Sequence, residues 1–178
     1  MIPTTRFLAP LAAAIALTGC QSVYDLPTER VASARLTLAN GVPTGTVQLV
    51  GSGNTLSLAI AATGLPAGEH GFHLHTTGQC QRPDFSSAGG HLNPTNEGHG
   101  LEDSDGSHVG DLPNLVVPAS GTVSTTVDLR GTRAQLLEYI FDADGTAVII
   151  HADPDDGTSE PSGNAGARIA CGVMTRAG

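Results

Sequence analysis

The chain has 178 residues, 17 acids against 8 basic side chains and a formal net charge of −9; all eight bases are arginines, because lysine is absent. So acidic a balance excludes a nucleic-acid partner held through phosphate contacts. The length suits one domain with a leader.

In chain order, the first element is not part of a fold. Arg6 is the only charge in the opening stretch, and the apolar run 7–17 is too short to span a bilayer as a helix, so residues 1–19 read as a secretory signal. The run ends in Leu17-Thr18-Gly19-Cys20, which resembles the bacterial lipobox, where cleavage precedes a cysteine that is then acylated. An ordinary signal peptide with an incidental cysteine is the alternative. Gln21, where an aspartate would favour the inner membrane, points by the same resemblance to an outer-membrane lipoprotein facing the periplasm, within the cell envelope. Residues 20–30 then form a tether, and 31–178 the domain. With Cys20 given to lipid, Cys80 and Cys171 remain. In an oxidising compartment two such cysteines most simply form one disulfide, which would close a loop of about 90 residues and stabilise the fold by roughly 4 kcal/mol; two free buried thiols are the alternative.

Apolar residues in the domain recur at every second position. Ala32, Ala34, Leu36 and Leu38 alternate with Ser33, Arg35 and Thr37; Leu56, Leu58 and Ile60 with Ser57 and Ala59; Val123, Val127 and Leu129 with Ser124, Thr126 and Asp128. This is the pattern of half-buried strands. Further strands are expected over 46–50, 70–75, 115–117, 147–151 and 169–173, making eight short strands and hence an all-β antiparallel sandwich or barrel. Only 133–139 has helical content, and at most a short turn of helix is expected there. Two segments, 77–114 and 152–167, are long, rich in Gly, Ser, Pro and Asp, and poor in apolar residues. Loops of that length are functional or disordered. The first carries Cys80, His91, His99, His108 and Asp111, so it is expected to be ordered by a disulfide and a metal ion rather than by a core of its own.

Six of the seven histidines form a pattern that metal chemistry explains. His73 and His75 stand two apart on a strand and so face the same side; His91, His99 and His108 run through a glycine-rich loop; His151 ends a late strand. The segments Gly71-Phe72-His73-Leu74-His75, Gly90-His91-Leu92-Asn93-Pro94, His108-Val109-Gly110-Asp111-Leu112, and Gly163-Asn164-Ala165-Gly166-Ala167-Arg168 through Ala170-Cys171-Gly172-Val173 resemble the signatures of the copper/zinc superoxide dismutases. They do so in order, across essentially the whole mature chain.

That resemblance implies an eight-stranded antiparallel Greek-key sandwich or barrel with two long functional loops. It also implies one copper on His73, His75, His91 and His151, and one zinc on His91, His99, His108 and Asp111. His91 would bridge the two as an imidazolate and supply protons; Arg168 would guide the anionic substrate, superoxide, in a two-step dismutation to oxygen and peroxide. Asp155 would hydrogen-bond His73 and His99, fixing their orientation. His70 has no ligand counterpart in the family pattern and reads as a hydrogen-bonded structural residue. The chain departs from the family in a short, lysine-free segment between His151 and Arg168 that carries Asp153, Asp155, Asp156 and Glu160, and in a short stretch between Cys80 and His91. No dimer interface is carried over, so monomer and homodimer both stay open. A copper-binding or copper-delivering lipoprotein on the same fold is the rival reading; it would be expected to lose the zinc set, the bridge or Arg168. A zinc hydrolase is a further rival, but Thr76-Thr77 follows the His-x-His pair where an Asp-His continuation would be expected.

Overall fold

The structure, a computed structural model, describes residues 28–102 and 106–178. The expected signal, Cys20 and nearly all of the expected tether lie outside the described residues.

Period-two alternation becomes long antiparallel strands, each with one face in a core. β1 (Glu29–Leu38), β2 (Pro43–Ser52) and β3 (Thr55–Thr63) bury Ala32, Ala34, Leu36, Val47, Leu49, Leu56, Leu58 and Ile60. Then come β4 (Gly68–His70), β5 (Phe72–His75), β6 (Leu115–Val117), β7 (Thr122–Asp128), α1 (Arg133–Ile140), β8 (Ala147–His151), β9 (Arg168–Val173) and β10 (Thr175–Arg176). The main sheet runs β5-β8-β9-β1-β2-β3-β7, with β10 added on β1, while β4 and β6 form a separate two-stranded ladder. Every pairing is antiparallel. The all-β antiparallel expectation therefore holds, as a curled half-barrel.

Three details differ from the sequence reading. The segment 70–75 is two strands, because the chain changes partners at Gly71: its N–H goes to Asp153 O (2.8 Å), and its carbonyl accepts from His151 N (2.8 Å). A Cβ there would stand 2.7 Å from Ala165 Cβ and 3.1 Å from the His73 ring, so only glycine allows the three segments to meet. Next, the helix is two turns long rather than a single turn. Thr132 and Gln135 cap it reciprocally, and Leu136 and Ile140 are buried, a Thr-x-x-Gln start signal that outweighs the segment's weak apolar pattern. Last, the segment 77–114 does have an apolar anchor. Phe85 and Ala88 are buried against Ala147, Ile149 and Cys171, beside the Cys80–Cys171 disulfide, whose Cα atoms lie 5.7 Å apart. One phenylalanine in a polar loop has no periodicity to announce it.

The free edge of β5 positions the site. β8 pairs along one side of this strand; along the other, the loop lays down two short stretches in turn, with isolated bridges His75↔His91 and His73↔Asp111. Leu92 N donates to Leu74 O (2.8 Å), Leu74 N to Gly110 O (3.0 Å) and Gly110 N to Leu92 O (2.9 Å). Gly110 permits this: a Cβ would sit 2.2 Å from Leu74 O. The loop is thus stitched by its backbone to the strand that carries the His-x-His pair.

Candidate metal centre

On β5 the side chains of His73 and His75 fall on the same face, and β8 brings His151 alongside them. Two compact groups result. His73, His75, His91 and His151 form one, and His91, His99, His108 and Asp111 the other; in each, the ligand atoms all lie within 4.8 Å of one another, and every member is buried. These are the two sets expected from the sequence, with His91 common to both.

Hydrogen bonds fix which ring nitrogens face inward. His73 Nε2–H donates to Asp155 Oδ2 (2.6 Å), and His99 Nε2–H to Asp155 Oδ1 (3.1 Å). His75 Nδ1–H donates to Gly89 O (3.0 Å) and His151 Nδ1–H to Gly166 O (3.2 Å). A neutral imidazole has one N–H, so the opposite nitrogens are bare acceptors. Those of His75 and His151, both Nε2, face each other at 3.5 Å. With both protons spent on carbonyls this contact is two opposed lone pairs, not a hydrogen bond. His73 Nδ1, His91 Nε2 and His99 Nδ1 are likewise buried without a partner. Buried acceptors left unsatisfied cost free energy, and a cation between them removes that cost.

The second group has the shape of a zinc site. Asp111 Oδ1 lies 2.7, 3.2 and 3.1 Å from Nδ1 of His91, His99 and His108. Four tetrahedral donors at about 2.0 Å from an ion lie about 3.3 Å apart, so the donor set and its spacing fit zinc. Asp111 Oδ2 is held by Gly100 N (2.9 Å) and His108 N (3.0 Å), which aims Oδ1 at the rings. The first group, four imidazoles and no carboxylate, suits copper.

Electrostatics keep the rings in their ligating form. Burial, with help from His91, pushes His75 down to about 2. Burial, with help from His73, pushes His151 down to about 3, against the pull of the Gly166 carbonyl. Burial holds His91 at about 4, although its bond to Asp111 works the other way. For Asp111 and Asp155, burial favours the neutral form but is outweighed by hydrogen bonds, from His91 and Gly100 to the first and from His73, Gly157 and His99 to the second, so both carboxylates sit well below the usual range. All three histidines are therefore neutral at neutral pH, with lone pairs free for a metal.

Other expected residues fall around the two groups. Arg168 pairs with His151 in the β8–β9 register, and its guanidinium donates to Phe85 O (2.7 Å) and Gly89 O (2.6 Å). Gly89 O thus receives both Arg168 and His75, a backbone tie that nothing in the sequence announced. Glu160 was also missed as a contact: its Oε1 accepts from His99 N at 2.7 Å. His70 stays out of both groups, its ring nitrogens 2.9 Å from His151 O, 3.1 Å from Ala152 O and 3.0 Å from Pro66 O.

Comparison with known proteins bears on these groups. The family model for copper/zinc superoxide dismutase matches residues 43–174. A superoxide dismutase [Cu-Zn] of Aquifex aeolicus (strain VF5) is 39% identical over 146 residues, covering 80% of this chain and 85% of that protein. The crystal structure of a SOD-like protein from Bacillus subtilis superposes with a TM-score of 0.75 at 39% identity, over 80% of this chain and 97% of that one. The Cu/Zn superoxide dismutase from Brucella abortus gives a TM-score of 0.65 at 28% identity, over 84% and 100%.

The depressed histidines set how the metal-free chain responds to acid. Their pKa values are about 2, 3 and 4 in the fold against 6.5 for an ordinary histidine, so below 6.5 the unfolded chain binds more protons than the folded one. Stability is complete above that value and falls as the pH drops through 4 toward 2, where Asp111 and Asp155 add to the loss. In urea titrations of the metal-free protein, the midpoint should hold between about pH 8 and 7 and fall clearly by about pH 5. A midpoint unchanged at pH 5 would contradict the burial of neutral rings.

Proposed function

We propose, from the premise that this chain belongs to the copper/zinc superoxide dismutase family, that His73, His75, His91 and His151 hold its copper and His91, His99, His108 and Asp111 its zinc. The chain is an oxidoreductase, a superoxide dismutase, with one copper and one zinc as cofactors. A single observation carries the residue assignment: buried imidazole nitrogens with no donor facing them, gathered into two sets that share one ring.

Copper, when bound, supplies the one-electron chemistry that turns two superoxide ions into oxygen and peroxide. The rest falls to the chain. His91 has Nδ1 engaged with Asp111 and Nε2 bare, which supports its role as the bridge between the sets and as a ring able to hold a proton at Nε2 for the product. Arg168 is half-exposed and tied by two carbonyls beside the first set, in position to attract and orient a small anion. Asp155 holds the His73 and His99 rings. The second set, with three imidazoles and a carboxylate, offers no open position and so serves structure. A copper-delivery lipoprotein is not favoured, since both sets are complete and Arg168 stands beside them.

The site assignment is tested by metal analysis with a superoxide-decay assay. His151→Ala should lose copper and fall to background activity while keeping zinc and a folded β spectrum. Asp111→Ala should lose zinc and melt roughly 10 °C lower, because metal-binding free energy helps hold the loop. Full activity in His151→Ala, or an unchanged melting temperature in Asp111→Ala, would refute the corresponding set.

The location is proposed from the sequence alone. Cys20 becomes the acylated N-terminus of an envelope lipoprotein, held at the outer membrane and facing the periplasm, with acyl chains supplying about 0.8 kcal/mol per buried methylene. Cys20→Ser should move the protein from the membrane fraction to the soluble one. A soluble wild type with an unmodified N-terminus would overturn this.

A further inference from the structure

A carboxylate can orient two rings at once only if its own backbone is held still. We propose that Asn114 is a positioning residue for both metal sets, acting through Asp155; the inference rests on the metal assignment above. Asn114 lies three residues beyond Asp111 and directly before β6. Its side chain makes the two bonds of a peptide group. Nδ2–H donates to Asp155 O at 2.8 Å, and Oδ1 accepts from Asp155 N at 2.8 Å. Only an amide offers donor and acceptor side by side; aspartate lacks the donor and serine the reach. Asp155 stands in a loop with no strand partner, so these bonds satisfy backbone groups that have no ladder to join.

The consequence is a fixed carboxylate. Oδ2 meets His73 Nε2 at 2.6 Å, while Oδ1 meets His99 Nε2 at 3.1 Å and Gly157 N at 2.7 Å. There is no slack on the far side. A Cβ at Gly163 would stand 1.9 Å from Asp155 Oδ1 and 2.8 Å from His99 Nε2. One amide on the 77–114 segment thereby pins the 152–167 segment and, through one carboxylate, sets the tautomer of one ring in each set. Without it Asp155 can rotate, the Nε2–H tautomers of His73 and His99 lose their acceptor, and the Nδ1 lone pairs no longer point inward. The defect appears in both sets together.

Two variants test this. Asn114→Leu, close in size, removes both bonds; Asn114→Asp keeps the acceptor and removes the donor, and carries the test should the leucine variant not fold. Val123→Ala, in the core at β7, is the destabilised control. Three readouts are taken: the ring-nitrogen NMR shifts of His73 and His99 in metal-free protein, zinc release to a chelator from loaded protein, and the copper EPR spectrum. We expect a single Nε2–H tautomer in the wild type and the control, and mixed tautomers in Asn114→Leu. Zinc release should accelerate about tenfold, the lower end for loss of a group that orients ligands, with a heterogeneous copper spectrum. Asn114→Asp should fall between. Unchanged tautomers overturn the proposal, as does an effect confined to one set. A wild type that loads no metal while the variants still mix tautomers would sink the metal assignment and leave the clasp standing. Unchanged tautomers in a chain that loads one copper and one zinc would do the reverse.

Discussion

The structure turns on a deficit: acceptor nitrogens are buried where nothing donates to them. His73 Nδ1, His91 Nε2 and His99 Nδ1 have no partner, and the Nε2 atoms of His75 and His151 oppose each other. An isolated buried acceptor of this kind costs on the order of 1–3 kcal/mol, and several lie here close together. Two cations, one in each proposed set, would answer that deficit. The strands supply three of the four histidines of the first set, His73, His75 and His151, and the loop supplies His91 and all of the second set, so order in the loop and occupancy of the sites depend on one another.

Seen this way, the long polar segments have a structural logic. Neither has enough apolar surface to fold by itself. The first is held by backbone bonds along the free edge of β5, by Phe85 under the disulfide and by three histidines and Asp111. The second folds back on itself through Ala152 N to Ala167 O and Asp156 N to Gly163 O, and meets the first where Asp155 reaches His73 and His99. Glycine recurs where atoms must approach closely: Gly71 between β5 and β8, Gly110 against Leu74 O, Gly163 against Asp155. The same rigidity that places the ligands places Arg168, whose guanidinium is bound to the loop that carries His91.

Much of this was legible in the sequence. Period-two alternation gives the strands, and His73 and His75 on one face follow from it without any family knowledge. The grouping of His91, His99, His108 and Asp111 came from resemblance, since spacing along a polar loop does not determine a fold. What stayed hidden was chemistry that depends on long-range approach. The change of partners at Gly71 is invisible because an unbroken apolar and histidine run reads as one strand. The start of α1 stood in the sequence as Thr132 and Gln135, beside an apolar pattern too weak to announce two turns of helix. Phe85 anchors a loop as a lone apolar residue. The contacts of Asp155 with His73 and His99 followed from the resemblance, but the tautomers of His75 and His151 are set by the carbonyls of Gly89 and Gly166, which no sequence pattern encodes.

The proposed loading places one ion in each of the two sets, with the His91 ring shared between them. Anomalous diffraction from crystals of the loaded protein, recorded on either side of the copper and zinc absorption edges, tests it most directly. Two separate peaks flanking His91 are predicted, a copper peak among His73, His75, His91 and His151 and a zinc peak among His91, His99, His108 and Asp111. A single peak, or a His91 ring bonded to one ion only, would contradict it.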